Sequence, residues 1–102
     1  MSNDLEKQFE QQMLARYEDW KAFGYVANRF LMAVRNRGGV GAAKYLLSKK
    51  GISPGLARLA KEGRTDLSME SLVVSSPWDS LFTETELAKA RKVLTEVQQA
   101  QQ

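Results

Sequence analysis

The chain has 102 residues, a mass of 11.5 kDa, 43% apolar residues and 26% charged residues, which are typical of one small globular domain. It contains neither Cys nor His. The first absence excludes disulfides and thiolate metal sites, and the second removes the commonest general base and transition-metal ligand. No apolar run approaches the roughly 20 residues that a membrane span requires. Because the first ten residues are polar and acidic, they do not resemble a secretory signal, and we expect a cytoplasmic protein with no membrane partner.

The formal net charge of +3 conceals a strongly basic central segment. From Arg29 to Arg64 the chain has nine Lys or Arg residues and one acid, Glu62, which gives a formal charge of +8. The segments before and after it carry −2 and −3. Such a block predicts a polyanionic partner. Some of these cations lie near predicted helix C-termini, where they offset the helix dipole without any ligand, so part of the excess has a structural explanation.

The first predicted element is a long N-terminal helix. Apolar residues recur at steps of four and three from Met13 to Val34, which places them in one stripe on a helix. Gly24 interrupts the stripe and marks a break between two helices or a close approach of another backbone; we expect a nearly continuous helix that bends there and ends at Gly38–Gly39. The stripe would suit a coiled-coil seam, but we favour packing within the chain; homodimerisation through residues 1–16 is the alternative.

Two short helices follow on either side of a glycine turn. The first is predicted over Val40–Lys50, and Gly51 ends it. The second is predicted over Pro54–Glu62, with Ser53 as its N-cap and Pro at its first position.

Three local signals complete the chain. Leu67–Val74 predicts a helical turn capped by Ser68, with a short strand as the alternative, and Ser76-Pro77-Trp78 predicts another turn. A capping box, Thr83 to Glu86, begins the last helix, whose polar tail over residues 98–102 is expected to fray. The expected fold is therefore all-α: a single small helical bundle over residues 1–102.

The two short helices are similar to a helix-turn-helix, the unit with which many proteins place a second helix in the DNA major groove. Leu46, Gly51 and Ile52 have the expected character for that motif, whereas Leu47 and Lys50 depart from it. In a docked unit, Arg58 could pair with a guanine and the neighbouring cations with phosphates. The predicted nucleic-acid-binding residues are Arg35, Arg37, Lys44, Lys49, Lys50, Ser53, Arg58, Lys61 and Arg64.

Part of the chain also carries a family resemblance. In chain order, its residues are Tyr25, Phe30-Leu31, Gly38-Gly39-Val40, Ala42-Ala43-Lys44, Leu46-Leu47, Gly51, Ser53, Gly55, Leu59, Gly63-Arg64, Asp66-Leu67-Ser68, Glu70, Leu72-Val73, Trp78, Leu81-Phe82-Thr83, Glu84, Glu86-Leu87, Ala90-Arg91 and Leu94. This pattern resembles a recurrent small all-helical bacterial module. The resemblance implies a bacterial or phage-borne helical protein and no particular activity. Residues 1–16 fall outside it.

No reaction centre is recognisable in the chain. Gly39-Val40-Gly41 lacks the spacing of a phosphate-binding loop, and the serines have no His partner. Glu84 and Glu86 are expected to stabilise a helix N-terminus, and Asp66 and Glu70 to be caps or surface residues. We therefore expect no enzyme, no cofactor and no metal site.

The leading hypothesis is a non-catalytic module that binds DNA or RNA through the basic hairpin. The alternatives are an adaptor or inhibitor, in one version phage-encoded, that docks on an acidic protein surface, and a small helical subunit of a larger complex. Most aromatic residues fall on inner stripes. Tyr45 lies beside Lys44 and off the stripe, so we expect its ring to be exposed and available to a partner.

Overall fold

The computed structural model describes residues Ser2–Ala100 and is all-α over that range, as the sequence predicts. The five helices are α1 (Ser2–Ala22), α2 (Asn28–Leu47), α3 (Pro54–Lys61), α4 (Met69–Val73) and α5 (Glu84–Ala100). Two 3₁₀ turns, Thr65–Leu67 and Trp78–Leu81, flank α4. α1 packs mainly on α2, and α4 packs on α5.

The prediction of a nearly continuous N-terminal helix is wrong, because the chain leaves the helix before Gly24. α1 ends at Ala22, and Gly24 adopts a positive φ of 83° that favours glycine. The carbonyl of Trp20 accepts the amides of both Phe23 and Tyr25 at 3.0 Å, which closes the turn. Trp20 and Ala27 are both buried on either side of the break, so the apolar spacing continues although the helix does not.

At Gly38 the predicted helix end is confirmed. α2 spans Asn28–Leu47 but consists of two helical segments that meet at Gly38, whose φ of 76° and ψ of 170° are not helical. The predicted second helix thus forms the latter part of α2. It ends at Leu47 instead of Lys50, so the connection to α3 is longer than predicted and covers Ser48–Ser53.

The apolar stripe of α1 is buried within the chain. Phe9 and Met13 are fully buried, and the Phe9 ring lies 5.4 Å from the Phe82 ring and 6.0 Å from the Trp78 ring. The residues that would form a coiled-coil seam therefore already have intrachain partners. Packing within the chain accounts for the stripe, and homodimerisation stays a prediction.

The helix caps predicted at Ser53, Ser68 and Thr83 are confirmed, whereas the turn after Pro77 begins without a side-chain cap. Ser53 Oγ accepts the amide of Leu56 at 3.1 Å, and Ser68 Oγ accepts the amide of Ser71 at 3.0 Å. At the start of α5, the Thr83 amide donates to Glu86 Oε1 at 2.9 Å and the Glu86 amide to Thr83 Oγ1 at 3.2 Å, which is a complete capping box.

α3 has its own small core. Its inward side chains Leu56 and Ala60 pack with Val93 and Val97 of α5 in a cluster separate from the main core. α5 continues to Ala100; the rest of the predicted frayed tail, Gln101 and Gln102, lies outside the described residues.

Candidate nucleic-acid interface

Four of the nine predicted site residues form side-chain hydrogen bonds or ion pairs within the fold. Ser53 is the N-cap of α3, and its hydroxyl also donates to Glu70 Oε2 at 2.9 Å. Lys44 Nζ lies 2.8 Å from Glu86 Oε1. The other two, Arg58 and Arg64, are likewise engaged and are described next.

Arg58 faces the main chain of the α1–α2 turn. Its Nη2 donates to the carbonyl of Phe23 at 3.2 Å, its guanidinium lies 5.7 Å from the Tyr25 ring centroid, and its Nε lies 3.4 Å from Glu62. Arg64 makes two 3.1 Å hydrogen bonds to Asp66, which raise the pKa of Arg64 and lower the pKa of Asp66. Both guanidinium groups therefore already have hydrogen-bond partners within the chain.

The ion pair of Lys44 also affects its acidic partner. Partial burial by itself raises the pKa of Glu86, but the hydrogen bonds from Lys44 and Thr83 outweigh it, so the pKa lies below its ordinary value. Glu86 is therefore held as a carboxylate, and the charge of Lys44 is largely neutralised.

The other five predicted cations are exposed. They are Arg35, Arg37, Lys49, Lys50 and Lys61, and within residues 2–100 none of them forms a salt bridge. Their charge is therefore available to an anionic partner.

Two of these exposed cations surround an aromatic ring. The Arg37 guanidinium lies 3.9 Å from the Tyr45 ring centroid and the Lys49 ammonium lies 4.8 Å from it. Tyr45 is 37% exposed, as the sequence predicts. We call Arg37, Tyr45 and Lys49 the Tyr45 cluster. It presents two positive charges and one flat apolar group at the surface.

The relation between α2 and α3 differs from that in a helix-turn-helix. α3 packs on α5, and an open cavity of about 430 Å³ separates it from α2. The cavity wall is mainly apolar, with Phe30 and Leu47 from α2, Leu56 and Leu59 from α3, and Val93 from α5. α2 and α3 therefore meet mainly across this cavity, unlike the closely packed helix pair of a helix-turn-helix.

Glu70 lies in the wall of this cavity and is 4% exposed, so the expectation of a surface or capping residue is wrong. Burial raises its pKa, while the hydrogen bond from Ser53 and the charge of Lys89 act in the opposite direction. Glu70 precedes Val73 by three positions in α4, and Val73 is fully buried. That spacing is the sequence signal that could have indicated its burial.

Between residues 2 and 100, no group of three acidic, His or Cys side chains is arranged to hold a metal ion. None of the described helices combines the length and apolarity needed to cross a bilayer.

Comparisons with known proteins yield neither a family nor a function. The chain matches no protein-family model, no curated protein and no solved structure. The resemblance to a small bacterial helical module therefore stays a prediction, and the functional argument depends on the geometry alone.

Proposed function

We propose that this protein is a non-catalytic module that binds single-stranded DNA or RNA through the Tyr45 cluster. The observation that carries the proposal is an aromatic ring, 37% exposed, in cation–π contact with two cations that form no salt bridge within residues 2–100. Proteins that bind single strands combine these two elements, cations for the phosphates and flat groups for the bases.

The three residues have different tasks in this proposal. Lys49 is a compact ammonium on an exposed side chain and suits a phosphate oxygen. Arg37 is planar as well as charged, so it pairs with a phosphate or stacks on a base. Tyr45 contributes an apolar surface on which any of the bases can stack. The binding is therefore expected to show little base preference.

Two observations favour a single strand over a duplex as the partner. Arg58, the residue that would read a guanine from α3, donates to the Phe23 carbonyl. Ser53, at the N-terminus of α3, caps that helix and bonds to Glu70. Two of the α3 groups that a recognition helix would direct at base edges are thus engaged, whereas Tyr45 and Lys49 are exposed around the C-terminus of α2.

The test is fluorescence anisotropy with labelled single-stranded DNA, single-stranded RNA and duplex DNA, at about 50 and about 200 mM salt. Tyr45→Ala is expected to weaken single-strand binding at least about fivefold, because stacking on one aromatic contributes about 1–3 kcal/mol. Lys49→Ala is expected to weaken binding and to reduce the salt dependence by one phosphate contact.

Lys61→Ala is the matched control, since it removes one exposed lysine outside the Tyr45 cluster and changes the net charge equally. Tyr45→Phe keeps the ring and should retain most of the affinity. Equal losses for Lys49→Ala and Lys61→Ala would mean that binding is a diffuse charge effect and that the cluster is not its site. The absence of binding at micromolar protein and low salt would contradict the proposal altogether.

One observation favours an acidic protein surface as a second candidate partner. Val26 and Ile52 are 55% and 40% exposed and line the cavity together with Lys49 and Lys50. Exposed apolar side chains that form a patch are typical of protein-binding surfaces, and the neighbouring lysines are complementary to an acidic partner. This candidate gains weight if the nucleic-acid titration shows no binding.

A further inference from the structure

The cavity between α2 and α3 has the size and lining of a small-molecule site. Its volume of about 430 Å³ is within the range of about 300–1,000 Å³ that such sites occupy. Apolar side chains predominate in its wall, from Phe30 and Leu47 on one side to Leu56, Leu59 and Met69 on the other. A space of this size between packed helices leaves apolar surface in contact with water unless something fills it.

The cavity is open to solvent where Val26 and Ile52 line it. These two side chains are 55% and 40% exposed, and the chain provides no residue to cover them within the described range. An apolar ligand body that enters past them would remove both the wall and these two side chains from water.

Charge is distributed unevenly around this space. Arg29, Lys49 and Lys50 line the cavity and are exposed, and none of them forms a salt bridge with a described residue. A fourth cation, Lys89, donates to the main-chain carbonyls of Leu47 and Lys49 and is thereby fixed near the wall. The exposed side of the cavity is therefore positive.

Glu70 is the one acid among the residues that line the cavity, and it is buried in the wall. Its Oε2 accepts the hydroxyl of Ser53 at 2.9 Å. Since burial raises the pKa of Glu70, the neutral carboxyl is favoured there relative to an exposed glutamate, which reduces the repulsion an anion would meet.

We propose that this cavity binds a small amphipathic anion, with an apolar body between α2 and α3 and a carboxylate or phosphate group at Arg29, Lys49 and Lys50. The cationic residues exclude the alternative of an amphipathic cation, because no exposed acid lines the cavity to receive it. The site goes beyond nucleic-acid binding: Lys49 belongs to both surfaces, but the apolar cavity does not take part in the Tyr45 cluster.

The test uses calorimetric titration of the intact protein with three probes that share one alkyl chain: decanoate, decyl phosphate and decyltrimethylammonium, each below its micelle concentration. Decanoate and decyl phosphate are expected to bind with a stoichiometry of one, and the cationic probe at least about tenfold more weakly. The ratio between the two anions indicates whether the natural head group is a carboxylate or a phosphate.

Two variants with equal charge change locate the site. Ile52→Asp introduces a negative charge among the lining residues, whereas Met32→Asp introduces it at a side chain that is 54% exposed and outside the lining. We expect Ile52→Asp to lower the affinity for decanoate at least about tenfold and Met32→Asp to leave it within about twofold. Both positions are exposed and neither side chain belongs to the core, so we expect both variants to fold. Circular dichroism checks that they do.

A chemical-shift map with decanoate gives an independent readout, with the largest changes expected at Leu47, Ile52 and Leu56. Three results would overturn the proposal: no saturable binding of either anion, equal or tighter binding of decyltrimethylammonium, or equal losses in Ile52→Asp and Met32→Asp. In the first case, the exposed Val26 and Ile52 would be assigned to a protein partner.

Discussion

At Gly39 the fold leaves no room for a side chain, because α1 crosses α2 directly above it. A Cβ at this position would lie 2.6 Å from the Cα and 2.7 Å from the Cβ of Glu10. The Gly39 amide, which follows the kink at Gly38, donates to Glu10 Oε1 at 2.8 Å. The same residue of α1 thus limits the size of residue 39 and satisfies its amide.

Gly39→Ala is therefore expected to lower the free energy of unfolding by about 1–3 kcal/mol, the usual effect of overpacking against a neighbour that cannot yield. The measurement is urea denaturation followed by circular dichroism. Gly55→Ala is the matched control: its Cβ would lie 3.6 Å from the Tyr25 hydroxyl, an ordinary contact, and alanine in a helix is favoured over glycine by about 0.5–1 kcal/mol. If Gly39→Ala proved as stable as the parent, the close crossing of α1 and α2 would be wrong.

At the scale of single elements, features fixed by local chemistry were the predictable ones. Ser53, Ser68 and the Thr83–Glu86 pair cap the helices that the sequence assigns to them, because a cap involves residues only three apart. The apolar period favours a continuous helix over the break that Gly24 also allows, because Trp20 and Ala27 remain buried across the break. An apolar period reports which residues face the core, and it does not report whether the chain between them is helical.

The site depended on information that is not local. The exposure of Tyr45 could be predicted from its position off the apolar stripe, and Lys49 follows it by only four residues, but its contact with Arg37 spans the kink at Gly38. The ion pair between Lys44 and Glu86 joins residues 42 positions apart, so no spacing rule indicates it. The cavity likewise arises because α3 packs on α5, which the sequence of the hairpin alone does not determine.

The capping role of Ser68 allows a test at the scale of one helix. Ser68 is fully buried; its Oγ accepts the amide of Ser71 and donates to the carbonyl of Thr65 at 2.7 Å. Ser68→Ala removes both hydrogen bonds and is expected to cost about 0.5–2 kcal/mol in the free energy of unfolding. The control is Ser75→Ala: this exposed hydroxyl bonds to the Ser71 carbonyl without capping a helix, and we expect a change within about 0.5 kcal/mol. Equal effects in a denaturant titration would contradict the cap.

At the scale of the whole molecule, two kinds of carboxylate give opposite pH dependences of stability. Asp66 and Glu86 have cationic partners and lowered pKa values, so their stabilising contribution is present above their unfolded pKa values and is lost as the pH falls. Glu70 has a raised pKa because it is buried. Between its unfolded and folded pKa values the native protein binds more protons than the unfolded chain, so its contribution falls as the pH rises.

Replacing Glu70 by Gln should therefore remove one identifiable part of the pH profile. The amide has nearly the same shape and can still accept the Ser53 hydroxyl, but it does not ionise. From about pH 4.5, the ordinary value for glutamate, upward through the folded pKa of Glu70, the parent is expected to lose stability relative to Glu70→Gln. Below that window the difference between the two proteins should no longer depend on pH, because the carboxyl is then protonated in both states.

Urea denaturation of the parent and Glu70→Gln at several pH values between about 3 and about 8 measures this difference. Glu86→Gln provides the contrast of opposite sign: Gln is compatible with a capping box, but the ion pair with Lys44 is lost, so this variant should be less stable than the parent at neutral pH and approach it in acid. Lys89 and Tyr25 are the other titratable groups near Glu70, and both are unchanged in the comparison.

A constant difference between the parent and Glu70→Gln across the whole range would mean that Glu70 titrates alike in both states. The carboxyl of Glu70 would then be hydrated in the cavity wall. The argument that a neutral Glu70 reduces the repulsion of an anionic ligand would also be wrong.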